Sequence, residues 1–175
     1  MKIFRLKAIS YKSSTTAGAG TERLCLAYAC FSLLLGLHTG NVIAGPEGGL
    51  VTAGQATIST PTATSTVINQ ATQNVAIDWQ SYNVKQNELV QYLQPNAAAS
   101  ALNKIFDQNP SQIFGTIKAN GQVILVNPNG VFFSPTARVS VGSLIASGID
   151  IKTNDFMQGK LNFDAGGAGG DGVVV

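Results

Sequence analysis

A four-residue break inside an apolar run constrains the fold of this chain more than any other feature. Val123-Ile124-Leu125-Val126 is apolar and β-branched, Asn127-Pro128-Asn129-Gly130 interrupts it, and Val131-Phe132-Phe133 resumes it. Gly121–Gly142 therefore reads as a strand, a tight turn and a second strand. Pro128 presets φ near about −65° and lacks a backbone donor, while Asn129 and Gly130 tolerate positive φ. Taken alone, the turn is explained by a structural corner with no other duty.

The rest of the chain repeats this grammar of short strands between polar turns. Ala56–Ser59 and Thr66–Asn69 flank a Thr/Pro turn, and Val75, Ile77 and Trp79 share one face with Asp78 on the other. Trp79, the sole tryptophan, reads as a core plug. Ser81-Tyr82-Asn83-Val84 continues in extended form, and Glu88–Gln94 is a further strand ending before Pro95. Gln112–Ala119 and Gly121–Asn127 are joined by Asn120-Gly121, a hairpin signal if they are antiparallel and a corner if not. Val139 and Val141 alternate with polar neighbours, as do Ile149 and Ile151. Two stretches stand apart. Gly45–Gly54 is Gly-rich and expected to be an irregular lead-in, and Ala97–Phe106 has helical composition, with Ala101, Leu102, Ile105 and Phe106 able to share one face, as one or two helical turns or a structured loop.

Residues 1–44 have the pattern of an export leader. Lys2, Arg5, Lys7, Lys12 and Arg23 form a basic n-region, Leu24–Leu37 is a 14-residue apolar core, and Val42-Ile43-Ala44 places small residues before Gly45. A run of that length falls short of the ~20 residues that span a bilayer. Cleavage between Ala44 and Gly45 is expected, leaving no stable membrane span.

Removing the leader changes what composition implies. Five of the 11 basic residues and one of the nine acidic ones leave with it, so the remainder carries a net charge of −2 and no basic patch for nucleic acid. Cys25, Cys30 and His38 also leave. Without Cys or His there is no cysteine nucleophile, no Ser-His-Asp triad, no disulfide framework and no ordinary zinc or copper site. Asp78, Glu88, Asp107, Asp150, Asp155 and Asp164 are irregularly spaced and read as solvated carboxylates. No catalytic residue, metal or cofactor is expected.

The remaining 131 residues suffice for one domain with a core, rich in Gly, Thr, Ser, Asn, Gln and Val. Periodicity alone allows a sandwich, a barrel or a stacked coil of parallel strands. The ending GGAGGDGVVV finishes on Val173-Val174-Val175 without a polar cap, as expected of the front end of a longer polypeptide.

Val75–Pro95, Leu102–Phe106, Ser111–Phe133 and Ala137–Ser147 together resemble, in order, the two-partner secretion domain that opens filamentous-haemagglutinin-type exoproteins, and most of all its high-molecular-weight adhesin branch. The resemblance covers about residues 49–163. It implies an all-β fold, a right-handed parallel β-helix with an N-terminal cap over residues 45–175, truncated at its C-terminal end. It also implies a function: an address recognised by a dedicated outer-membrane β-barrel transporter, whose periplasmic domains start export to the cell surface.

The family's NPNG-I block carries over onto Asn127, Pro128, Asn129 and Gly130, with Val131 in place of Ile. The second hallmark, NPNL, is absent; the nearest region offers only Gln108-Asn109-Pro110-Ser111. Trp79, Tyr82 and Asn83 are carried as structural residues. A host-surface ligand would be met by a passenger region beyond this domain. A β-helical carbohydrate-active enzyme and a glycan-binding β module are the alternatives; the first needs clustered charges on one coil face, the second a closing strand and exposed aromatics.

Overall fold

The structure is a computed structural model and describes residues 45–164. The leader through Ala44 and the Val173–Val175 ending lie outside the described residues.

Among the described residues, twelve strands and one short helix follow one another in a coil. β1 (Leu50–Ala53) and β2 (Ala56–Thr62) come first, then β3 (Ser65–Gln70), β4 (Asn74–Trp79), β5 (Leu89–Leu93), β6 (Ser100–Ile105) and β7 (Ser111–Ile113). β8 (Thr116–Ala119), β9 (Gln122–Val126), β10 (Val131–Phe133), β11 (Arg138–Ser140), β12 (Ser143–Ser147) and α1 (Thr153–Met157) complete the order.

Successive strands in sequence belong to different sheets, and strands that pair come from successive turns of the chain. One sheet runs β1-β4-β6-β9-β12, a second β11-β8-β5-β3-β2, and a third face consists of β7 and β10 with Val84 bridged to Ile113. From β3 and β4 onward every pairing between turns is parallel. The architecture is a β-helix, in which four stacked strands (β4, β6, β9, β12) form one wall.

The N-terminal end is capped by antiparallel pairs. β1 lies along β4, and β2 folds back on β3 as a hairpin, so the first turn of the coil does not expose its strand edges. The irregular lead-in expected over Gly45–Gly54 is instead built in: Glu47 bridges Ser81, and β1 pairs Leu50 with Asp78. Its glycines serve close approach and not looseness. A Cβ at Gly49 would collide with the Trp79 ring, and one at Gly48 with Gln80.

The helical expectation for Ala97–Phe106 is overturned, because Ser100–Ile105 is strand β6, between β4 and β9. Both faces of β6 are covered. Ala101 and Ile105 join the inner core with Val75, Ile77, Trp79, Val123 and Leu125, while Leu102 packs outward with Ala76, Ile124, Ile151 and Phe156. A strand buried on both sides loses the apolar/polar alternation that marks a strand, so its sequence looks helical. α1 closes that outer face, with Asn74 Nδ2 donating to the Phe156 carbonyl at 3.5 Å and Lys104 Nζ to Asp150 Oδ2 at 3.0 Å.

One open alternative is decided and one further expectation is corrected. Asn120-Gly121 is a corner and not a hairpin, since β8 and β9 lie in different sheets. The strand expected through Ile149 and Ile151 shrinks to a single bridge, Ile151 to Phe163, because the chain turns into α1.

Candidate recognition corner

The Asn127–Gly130 break lies where the chain passes from β9 to β10. Asn127 continues the parallel ladder, its N–H donating to the Ser147 carbonyl at 3.0 Å. Gly130 N–H then donates to the Asn127 carbonyl at 2.8 Å, closing a turn with Pro128 and Asn129 in its middle. Asn127 Oδ1 accepts from Asn129 N–H at 2.9 Å, a side-chain brace on the same turn. Gly130 sits at φ +96° with open space where a Cβ would be, so glycine is called for by backbone conformation and not by crowding.

This corner rests on the one before it in the stack. Asn127 is fully buried, and its Nδ2 donates to the Asn109 carbonyl at 3.1 Å and to Ser111 Oγ at 3.0 Å. Asn129 Nδ2 donates to the Asp107 carbonyl at 2.8 Å, and Ser111 N–H donates to the Gly130 carbonyl at 3.0 Å. Gln108-Asn109-Pro110-Ser111, which lacks the family's second hallmark, is thus the platform under the first. Pro128 and Asn129 face solvent, while Asn127 does not. Phe132, just beyond the turn, is 53% exposed and its ring lies 6.1 Å from that of Phe114.

Trp79 and Tyr82 lie in the coil interior, with ring centroids 5.8 Å apart in an edge-on arrangement. Their polar atoms are all satisfied. Trp79 Nε1 donates to Asn103 Oδ1 at 2.9 Å, Tyr92 OH donates to the same oxygen at 2.8 Å, and the Tyr82 and Tyr92 hydroxyls are 2.9 Å apart. Burial pushes both phenols above their ordinary range, so both stay protonated. Asn83 is half-buried at the edge of the third face, where its Oδ1 accepts from Gln112 N–H at 2.9 Å.

Sequence reasoning missed the hub of this network. Asn103 is 0% exposed and its Nδ2 donates to the Ile124 carbonyl at 3.1 Å, linking consecutive turns. The available signal was the period-two set Ala101, Asn103, Ile105, hidden by apolar Leu102. A second polar column was also missed. Gln94 Nε2 donates to Gln70 Oε1 at 3.1 Å while Gln94 Oε1 accepts from Gly121 N–H at 2.7 Å, tying three turns together at one corner.

The described carboxylates form no paired acid/base site, and among the described residues no three His, Cys, Asp or Glu side chains come together to hold a metal. The arrangement is suited to stacking and to presenting turns.

Comparison with known proteins agrees with this geometry. The heme/hemopexin-binding protein of Haemophilus influenzae strain Rd is 37% identical over 124 residues, covering 69% of this chain and 14% of that protein. A second Haemophilus influenzae heme/hemopexin-binding protein is 39% identical over 99 residues, covering 57% of this chain and 11% of its own length. The chain therefore spans only a small fraction of these relatives. The crystal structure of the HMW1 secretion domain from Haemophilus influenzae superposes with a TM-score of 0.66 at 31% identity, over 70% of this chain and 32% of that one. Residues 43–173 match the TPS secretion domain, the two-partner secretion module, and the chain belongs to that family.

Proposed function

We propose that this domain is the export address of a large exoprotein of a Gram-negative cell, read in the periplasm by the periplasmic domains of a cognate outer-membrane β-barrel transporter and carried to the cell surface or beyond. The family match over residues 43–173 is the observation that carries this reading. The leader delivers the chain across the inner membrane and is removed between Ala44 and Gly45. No catalytic step enters the function.

Within the address, Asn127 shapes the corner and Pro128 and Asn129 are what a transporter meets. The division follows from burial: the Asn127 amide is occupied inside the stack, whereas its two neighbours face solvent. Strand addition along an exposed sheet edge supplies affinity by backbone pairing, and the corner sets where pairing starts. The test is secretion of Asn129→Ala in the presence of the cognate transporter. A folded variant that accumulates in the periplasm supports direct reading of the corner; normal secretion confines Asn129 to a structural role.

The passenger following this domain is proposed to be an adhesin meeting a host-surface ligand. Haem or hemopexin capture is a second reading, favoured by the names of the two curated relatives. Binding of hemin to the full exoprotein, compared with this domain alone, separates the two.

A further inference from the structure

Glu88, expected from its irregular spacing to be a solvated carboxylate, is instead buried to 5% exposure immediately before β5, because the cap folds Gly45 over it. Its Oε2 accepts two backbone donors: Lys85 N–H at 2.8 Å and, 43 residues away in sequence, Gly45 N–H at 3.1 Å. Among the described residues, the side-chain cation near it is Lys85, whose Nζ lies 3.7 Å from Oε1 on a side chain 63% exposed. A surface lysine at that distance is weak compensation for a desolvated carboxylate, because solvent screens the pair. Buried carboxylates are ordinarily matched by a full positive charge close by.

Gly45 is itself held in place. Pro46 is buried, and Glu47 is pinned on both sides, its N–H donating to the Ser81 carbonyl at 2.9 Å and its carbonyl accepting from Gln80 N–H at 3.0 Å. Gly45 has φ +81°, and a Cβ there would meet Thr66 Oγ1 at 3.0 Å and Val90 Cγ2 at 3.6 Å. Its nitrogen is thus aimed at Glu88 by the cap itself.

We propose that hydrolysis of the Ala44–Gly45 peptide bond turns this contact into a partly buried ion pair, in which the new α-ammonium of Gly45 docks on the Glu88 carboxylate and completes the N-terminal cap. The inference rests on the reading of Ala44–Gly45 as the processing site. The step balances with one water: the C–N bond breaks, Ala44 receives the water oxygen and leaves as a carboxylate, and Gly45 nitrogen keeps its one hydrogen and gains both water protons to become an ammonium. Before cleavage that nitrogen is a neutral amide with one hydrogen. Afterwards it carries three hydrogens and a full charge, and hydrogen bonds between charged groups are roughly twice as strong as neutral ones. Leader removal and closure of the coil's first turn are thereby coupled, so the unprocessed chain has a looser cap than the mature one.

The test begins with the product exported from the full chain of residues 1–175. Intact mass reads the processing site; a start other than Gly45 overturns both the processing reading and this proposal. With Gly45 at the start, the α-amine is acetylated at mildly acidic pH, where it reacts ahead of lysines, and a single adduct is mapped to Gly45. Acetylation keeps one N–H donor and removes the charge. It is expected to lower the folded-to-unfolded ratio in urea about tenfold in the native chain and to have little effect in Glu88→Gln. An equal effect in both, or none in the native chain, overturns the ion pair while leaving the processing site standing. If Glu88→Gln does not fold, acetylation of the native chain alone decides.

Discussion

The indole N–H of Trp79 donates to the side-chain oxygen of Asn103 at 2.9 Å, joining an aromatic plug on β4 to a polar residue on β6 in the next turn of the coil. Tyr92 OH donates to the same oxygen at 2.8 Å, so Asn103 anchors two aromatic side chains in an otherwise apolar interior. Asn103→Ala strands both donors away from water and removes the side-chain bond to the Ile124 carbonyl. A loss of about 3 kcal/mol or more is expected by urea unfolding followed through Trp79 fluorescence. A loss under about 1 kcal/mol would show that the network is not a structural anchor.

The two asparagines of the NPNG corner separate by burial. Asn127→Ala removes two buried donor bonds and the brace on Asn129, for an expected loss of about 2–4 kcal/mol. Asn129→Ala removes one exposed bond to the Asp107 carbonyl and costs about 1 kcal/mol or less. Both are expected to lower secretion. Pulse-chase secretion run beside thermal melts distinguishes the causes: a secretion defect in Asn129→Ala larger than its stability loss accounts for marks contact with the transporter.

Two glycines at successive corners predict opposite severities. Gly130→Ala meets no neighbouring atom and is expected to cost about 1 kcal/mol, through positive φ alone. At Gly121 a Cβ would run into the Ala99 carbonyl oxygen and approach Gln94 Oε1 at 2.8 Å, both rigidly held by the polar column. Gly121→Ala is therefore expected to cost about 3 kcal/mol or more and to reduce soluble yield. Circular dichroism melts of the pair check the ordering.

Alkaline pH provides a readout of the interior. Of the four tyrosines, Tyr11 and Tyr28 precede Ala44, so a chain starting at Gly45 contains only Tyr82 and Tyr92. Burial raises both folded-state phenols above the ordinary value of 10.0, whereas in the unfolded chain they ionise near it. Above pH 10 the unfolded state therefore binds fewer protons than the folded state, and stability falls as pH rises. Below pH 9 the two tyrosines contribute no slope. Each steepens the loss by up to ~1.4 kcal/mol per pH unit above about pH 10. Phenolate absorbance is expected to appear together with unfolding, and Tyr82→Phe to reduce the slope; early titration in the folded chain would contradict their burial.

Much of the coil was legible in the residues. Val75, Ile77 and Trp79 fall inward as their alternation predicts, and Asn127–Gly130 is a corner because Pro, Asn and Gly leave a strand nowhere else to go. What failed has a common cause. Ala97–Phe106 looked helical because Ala76, Ile124 and Phe156, distant in sequence, bury the outer face of β6. Gly45–Gly54 looked loose because nothing local announces that the Trp79 ring lies against Gly49. The paired positions Ser65, Leu89, Thr116 and Arg138 are unequally spaced, so no fixed repeat betrayed the stacking.

Most of the short strands and the polar corners follow from local backbone preference and side-chain alternation, and the order of the blocks marks the family. Which corner rests on which, the stitching of consecutive turns by Asn103 and Gln94, and the contact of Glu88 with Gly45 arise only once the coil is packed. Parallel stacking joins residues one full turn apart. The hydrogen bonds that hold such a coil are long-range, and no local pattern encodes their partners.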